Sequence, residues 1–236
     1  LAILRYTDAK LAKRQLTLTA GIMNIPIRTL STEGYELHLA TNYLGLFLFT
    51  NLLISALVLK KGVGRVVNVA SDGYRFSPFR FGDWNFEGGT STLTLPENEW
   101  PDEELCRVFG VPRGGGYIPT IAYAQSKTAV VIYSGVLGGR GVECVSVHPG
   151  AIKTDLWRHI PKEEAEEIFR QMSMKSLEQG ISTILVAALD PKLGGTSNVY
   201  LEDCQVKSIP AYYSDPEVGQ RLWKLTEELV GEEFRF

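Results

Sequence analysis

Cysteine is scarce in this chain. Its 236 residues hold three, Cys106, Cys144 and Cys204, with no CxxC pair among them. That count builds neither a disulfide framework nor a thiolate metal centre, and it suits a reducing compartment, the cytoplasm. Charge of one sign is lacking too. Twenty-four Lys and Arg against 27 Asp and Glu leave −3, so the field expected of a general nucleic-acid binder is absent. No GxSxG elbow occurs, and neither His38 nor His159 lies in a motif tying it to a nucleophilic serine, which sets a serine hydrolase aside. No repeat or linker divides the chain, and no His/Cys spacing calls for a metal.

Apolar residues are plentiful. At 44% hydrophobic and 22% charged, the chain can bury one sizeable core and should not be disordered. The longest apolar run, Tyr43–Leu59, falls short of the roughly 20 residues of a membrane helix. It also carries Thr50, Asn51 and Ser55, so a buried helix is expected and no membrane span. The first fifteen residues contain no apolar run long enough for a secretory signal.

Short β-like runs alternate with longer helical ones, the pattern of an α/β fold with a mainly parallel sheet and flanking helices. Strands are expected at Gln15–Ala20, Arg65–Ala70, Val142–Val147 and Ser197–Leu201. Helices are expected at Thr32–Leu59 with a break near Gly45, within Pro119–Gly135, and at Glu163–Met172, Leu177–Leu189 and Pro216–Leu229. In the last, Val218, Leu222, Leu225 and Leu229 form one apolar stripe. Between Arg75 and Pro119 the periodicity fails. This insert is rich in Gly, Pro and acids, but its Trp84, Phe86, Trp100 and Tyr117 should pack part of it against the body. Loops of such length are functional lids or disordered segments.

The chemistry concentrates at Tyr123-Ala-Gln-Ser-Lys127. Residues four apart share a helix face, so the Lys127 ammonium can stand beside the Tyr123 phenol. An adjacent cation should lower the phenol's pKa from about 10 and make it a usable acid or base. Ser71 follows the buried strand VVNVA, at the carboxyl edge where open α/β sheets bind ligands. Pro149 and Gly150 stop another strand, with Thr154 four residues on, and Asn42 sits inside a helix, where Asn is mildly unfavourable. His148 is expected to be a packing residue at its strand end.

In this order the residues resemble the short-chain dehydrogenase/reductase family. TAGIM (19–23) looks like its Asn-Ala-Gly-Ile motif, and Asn42, Ser71, Tyr123 and Lys127 follow its catalytic tetrad. PGAIKT (149–154) looks like its Pro-Gly-x-x-x-Thr segment. ELHLATNYLGLFLFTNLL, FGDWNFE, AYAQSK and YLEDCQ are similar to the retinol-dehydrogenase-like and WW-domain-oxidoreductase-like branch. The resemblance, from about Leu16 to the C-terminus, implies a single Rossmann-like domain over 1–236 with an insert at 75–119. It also implies NAD(P)-dependent hydride transfer on a carbonyl or alcohol.

Under this resemblance Tyr123 is the acid/base, Ser71 binds the substrate oxygen, and Lys127 holds the nicotinamide ribose. Asn42 orients a relay water. Ala20, Gly21, Asn42, Tyr123, Lys127, Pro149, Gly150, Ile152 and Thr154 would line the cofactor, NADP by subfamily with NAD as the other choice. The family's opening glycine-rich phosphate turn has no counterpart: KKGVGR, RGGGY and GVLGGRG all lie in the wrong context. Relative to the family, the first three strands are therefore expected to be missing. An inactive remnant serving as an interaction protein is the alternative. Tyr43–Leu59 either pairs two subunits into a homodimer or is buried in the monomer, and Tyr212, Tyr213 and Trp223 are candidate substrate contacts.

Overall fold

The computed structural model describes residues 2–4, 14–58, 64–88, 95–194 and 199–236. A six-stranded sheet runs through it in the order β1 (Ala2–Leu4), β2 (Arg14–Leu18), β3 (Gly64–Val69), β4 (Glu143–His148), β7 (Val199–Glu202), β8 (Gln205–Lys207). The four central strands are parallel, and β1 and β8 close the two edges antiparallel. A second, two-stranded sheet pairs β5 (Ala151–Ile152) with β6 (Met174–Lys175). The antiparallel β1 is not signalled by the sequence pattern. The glycines of KKGVGR and the start of the Ser197–Leu201 strand lie partly outside the described residues.

Central strands of a parallel sheet are buried on both faces, and β3 and β4 are buried through their four middle residues, the polar Asn68 and Ser146 included. Val66, Cys144 and Tyr200 join the core beneath α2 (Gly45–Val58), α4 (Pro119–Gly139) and α8 (Pro216–Val230). Val67, Val145, Val147, Val199 and Leu201 face the other way, onto α6 (Leu177–Leu189). Helices on both faces of a mostly parallel sheet make this a doubly wound α/β fold.

The helix boundaries have local causes. α1 (Leu37–Leu39) starts five residues later than its apolar pattern suggests, because the Glu36 carboxylate caps the backbone N–H groups of His38 and Leu39. It passes through a π turn, Ala40–Leu44, into α2, so the disturbance expected at Gly45 falls just before it. A capping box between Ser176 and Gln179 opens α6. Asp215 and Pro216 open α8, and Gly231 in the left-handed region ends it.

The α8 stripe behaves as its spacing requires: Leu222 is buried, and Val218, Leu225 and Leu229 pack partly buried against the same core. Trp223 also points inward, onto Phe47 and Tyr133, which makes it a core residue and no substrate contact. The stretch Leu37–Ile54 is long and apolar enough to cross a membrane, and half of it is buried inside this fold.

The insert packs down, as its aromatics suggest. Phe79 and Phe86 are buried, and α3 (Glu103–Val108) forms within it. Gln125 of α4 grips it from both sides, accepting from Arg80 N at 3.2 Å and donating to Trp84 O at 2.8 Å. After β5, α5 (Lys162–Gln171) projects as a charged helix before β6, and the short α7 (Ala211–Ser214) leads into α8.

Arg65, on β3 and 1% exposed, binds the open C-terminus of α6. Its Nη1 donates to Ala187 O and Asp190 O, each at 2.9 Å, while Nε meets Glu143 at 3.3 Å. A cation there satisfies orphan carbonyls and complements the helix dipole. Arg65→Met is expected to destabilise the fold by about 3 kcal/mol in chemical unfolding, because the carbonyls and Glu143 lose a buried partner. A change under about 1 kcal/mol would show that α6 does not depend on this cap.

Candidate active site

The ends of β3 and β4 are level, since Ala70 N donates to Val147 O at 2.8 Å. Ser71 therefore leaves the sheet at its carboxyl edge. Its extended backbone ends the strand, and its hydroxyl accepts from Gly73 N at 3.1 Å, capping a 3-10 turn over Asp72–Phe76. α4 passes above this edge, buried continuously from Ile121 to Ser134, and delivers Tyr123 and Lys127 one turn apart. The Ser71 hydroxyl and the Tyr123 phenol face each other across this turn, near enough for the serine to favour the ionised phenol. Gly73 lies between them, and a side chain there would come within 3.2 Å of Ser71 Oγ and 3.3 Å of the Tyr123 ring.

Lys127, 5% exposed, donates from Nζ to Val69 O at 2.9 Å. Its Nζ lies 5.8 Å from the centre of the Tyr123 ring. The expected lowering of the phenol pKa does not occur. Burial pushes Tyr123 up to about 12, and only the Ser71 hydroxyl works the other way. Burial also brings Lys127 down to about 8. Desolvation outweighs the pairing because the ammonium is engaged by a backbone carbonyl and not by the phenol oxygen. Near neutral pH the phenol holds its proton and the amine is still charged, so the centre is poised to give a proton.

Asn42 occupies the π turn, a helical irregularity frequent at functional sites. Its Oδ1 accepts Ile22 N at 2.8 Å, and Nδ2 donates to Ile22 O at 3.0 Å and Ser126 Oγ at 2.9 Å. Both amide hydrogens are used, so the side chain braces the loop after β2. That loop contains Ala20 and Gly21, with Ala20 exposed just past the strand.

Pro149 and Gly150 follow the end of β4. Gly150 has φ +93, and a side chain on it would strike Lys175, which pairs with Asp203. Ile152 packs tightly over Gly180 of α6. Thr154 is exposed, its hydroxyl accepting Leu156 N at 3.4 Å. The structure thus gathers Asn42, Ser71, Tyr123, Lys127 and Gly21, with Pro149 and Gly150 on the neighbouring strand end. Among the described residues, no hydrogen bond joins Ile152 or Thr154 to this group. His148 has Nδ1 buried without a partner.

Sequence reasoning missed the fully buried pair Glu36 and His38. The His38 ring meets Tyr123 edge-on at 6.3 Å. A carboxylate just ahead of an apolar helix was the available signal.

A nicotinamide riboside fits these residues. The Gly21 backbone lies against both side chains, with a Cβ there at ordinary contact distance, 3.4 Å from Asn42 Oδ1 and 3.6 Å from Lys127 Nζ. The Lys127 ammonium has three donors and one hydrogen-bond partner, leaving two for vicinal hydroxyls. Among the described residues, no strand passes through a glycine-rich turn into a helix, so nothing described fits the pyrophosphate in that manner.

No family model matches the chain. It is 48% identical over 143 residues to oxidoreductase fscI of Fusarium equiseti, covering 57% of this chain and 54% of that protein. A probable oxidoreductase of Streptomyces antibioticus is 32% identical, with 89% of this chain and 69% of the relative covered. Short-chain dehydrogenase/reductase prx1 of Penicillium roqueforti is 31% identical over 91% of this chain and 62% of its own length. The chain thus spans about half to two thirds of the curated relatives it matches. The crystal structure of an uncharacterized protein from Mycobacterium paratuberculosis shares the fold, with a TM-score of 0.58 at 22% identity, covering 95% of this chain and 69% of that one.

Lys127 holds its proton less tightly in the folded chain, at about 8, than unfolded at its ordinary value. Between these values the unfolded chain keeps the extra proton, so stability increases as pH increases. Moving from pH 7 to pH 10 should stabilise the wild type against Lys127→Met by about 2 kcal/mol in paired denaturant unfolding curves. An unchanged difference would mean that the amine is not desolvated.

Proposed function

The chain belongs to the short-chain dehydrogenase/reductase family, and from that premise we propose that it is an NAD(P)-dependent oxidoreductase acting on a carbonyl or alcohol carbon. The nicotinamide, when bound, gives or takes the hydride; the chain positions and polarises. The observation carrying this reading is the convergence of Ser71, Tyr123 and Lys127 at one carboxyl sheet edge, with a buried ammonium that uses one of its three donors beside Gly21.

Tyr123 is the general acid in reduction. Its buried phenol stays protonated at neutral pH and can pass that proton to a developing alkoxide. In oxidation it takes the proton back. Ser71, which lies beside the phenol, donates to the substrate oxygen and stabilises its charge. Lys127 uses its two remaining N–H groups on the ribose hydroxyls and contributes a positive charge when the phenol ionises. Asn42 keeps the Ile22 backbone in place behind them.

NADP is assigned over NAD on the retinol-dehydrogenase-like pattern of residues 36–53. An apolar or aromatic carbonyl or alcohol is taken as the substrate class on the same retinol-dehydrogenase-like pattern, and three free cysteines suit a reducing cytoplasm.

The test is NADPH consumption by the full chain across a panel of aromatic and aliphatic carbonyls. Tyr123→Phe should lower kcat by about 10²- to 10⁴-fold, the usual contribution of a general acid, with NADPH still bound. Full turnover by Tyr123→Phe, or no saturable NADPH binding by the wild type, would refute the assignment.

A further inference from the structure

The segment between β2 and α1 crosses the site without regular structure, and its backbone over 21–25 is held by two side-chain clamps. The first is Asn42, which takes both the N–H and the C=O of Ile22. The second was not foreseen. Three residues on, Ile25 N donates to His38 Nε2 at 3.2 Å, and Ile25 O accepts from Tyr117 OH at 2.7 Å. Between the clamps Asn24 sits at φ +51, a left-handed conformation that a non-glycine residue adopts when its surroundings enforce it.

The second clamp is set by Glu36. His38 Nε2 accepts the Ile25 amide hydrogen, so its ring proton belongs on Nδ1, where Glu36 Oε1 receives it at 2.7 Å. The same carboxylate takes His38 N at 3.0 Å and Leu39 N at 2.9 Å, and Asn85 fixes the Glu36 backbone at 2.7 Å. Glu36 and His38 are both 0% exposed. Burying a carboxylate costs several kcal/mol unless its hydrogen bonds are fully made, and here they fix one tautomer.

The His38 imidazole also touches the reaction centre. It stacks on the Tyr117 ring at 6.5 Å and meets the Tyr123 ring edge-on at 6.3 Å. Tyr117 in turn lies edge-on to Phe86 of the insert at 5.7 Å. One side chain thus joins the loop beside Lys127, the Tyr123 ring and the insert.

We propose that His38 and Tyr117 are positioning residues: oriented by Glu36, they clamp Ile25 and so hold the 21–25 loop at the nicotinamide-facing side of Lys127. This role rests on the proposed redox function. Neither residue needs to touch the substrate; each acts through the loop backbone and, for His38, through the Tyr123 ring.

The experiment compares wild-type full chain with His38→Phe, His38→Gln and Tyr117→Phe. Amide hydrogen exchange at Ile25 is measured without cofactor, alongside KM for NADPH and kcat. His38→Phe keeps the ring volume but has no acceptor, so Ile25 should exchange about 10-fold faster, matching the loss of one hydrogen bond. The KM for NADPH should rise by about 10-fold on the same free-energy scale, with kcat changed far less. His38→Gln offers an acceptor and should recover most of both effects, which a purely structural role would not require. Tyr117→Phe, which keeps the ring, should raise KM in the same way.

Unchanged Ile25 exchange in His38→Phe would overturn the clamp, as would equal behaviour of the Phe and Gln variants. Should His38→Phe fail to fold, Tyr117→Phe decides by the same kinetic split. If the wild type neither binds nor consumes NADPH, the redox reading fails, while the exchange data still judge the clamp separately.

Discussion

A hydrogen bond from Lys127 Nζ to the Val69 carbonyl ties the reactive turn of α4 to the last residue of β3. Two residues beyond Val69 lies Ser71, and one turn before Lys127 lies Tyr123. This contact therefore sets where the serine and the phenol meet. It also determines the electrostatics, because the ammonium is held against a strand end and away from the phenol oxygen. Both groups respond mainly to burial, the phenol upward and the amine downward. A protonated phenol and a cation of modest basicity are the result, arranged at the edge where a doubly wound sheet binds its ligands.

α4 organises the rest. A helix buried on every side has to satisfy its polar side chains with partners from several layers. Tyr123 and Lys127 turn to the sheet edge, Ser126 to Asn42, Gln125 to the insert, and Thr128 to the carbonyls of Tyr74 and Ser77. The insert is thereby bolted to the helix that holds the phenol. The loop after β2 is bolted to the neighbouring helical run by Asn42 and His38. Site geometry and core packing are in this molecule one network.

Much of this was legible beforehand. The Tyr123–Lys127 spacing, the serine after VVNVA and the strand stop at Pro149 each follow from local rules, and the structure places them at one edge. The helix starts and stops at Leu177, Leu189 and Pro216 were legible for the same reason, since capping is local. What stayed hidden depends on contacts distant in sequence. The pKa of Tyr123 was misjudged because sequence spacing shows the neighbouring amine but not the carbonyl that engages it. The Glu36–His38 pair looked like an ordinary helix start, since its meaning depends on Ile25, Asn85 and Tyr117. The bracing of the Ile22 backbone by Asn42 was also hidden, since it joins residues 20 apart in sequence. The antiparallel edge strand β1 had no turn signature to announce it.

The central claim is that the sheet edge at Ser71 directs hydride transfer from the nicotinamide to a carbonyl carbon. Following the label is the most direct measurement. The full chain is given NADPH deuterated at the transferring position together with a carbonyl it reduces, and the alcohol product is analysed by mass spectrometry and NMR. The account predicts one deuterium on the carbinol carbon with the wild type, and product formation nearly abolished with Ser71→Ala. Product without deuterium, or undiminished labelling by Ser71→Ala, would contradict it.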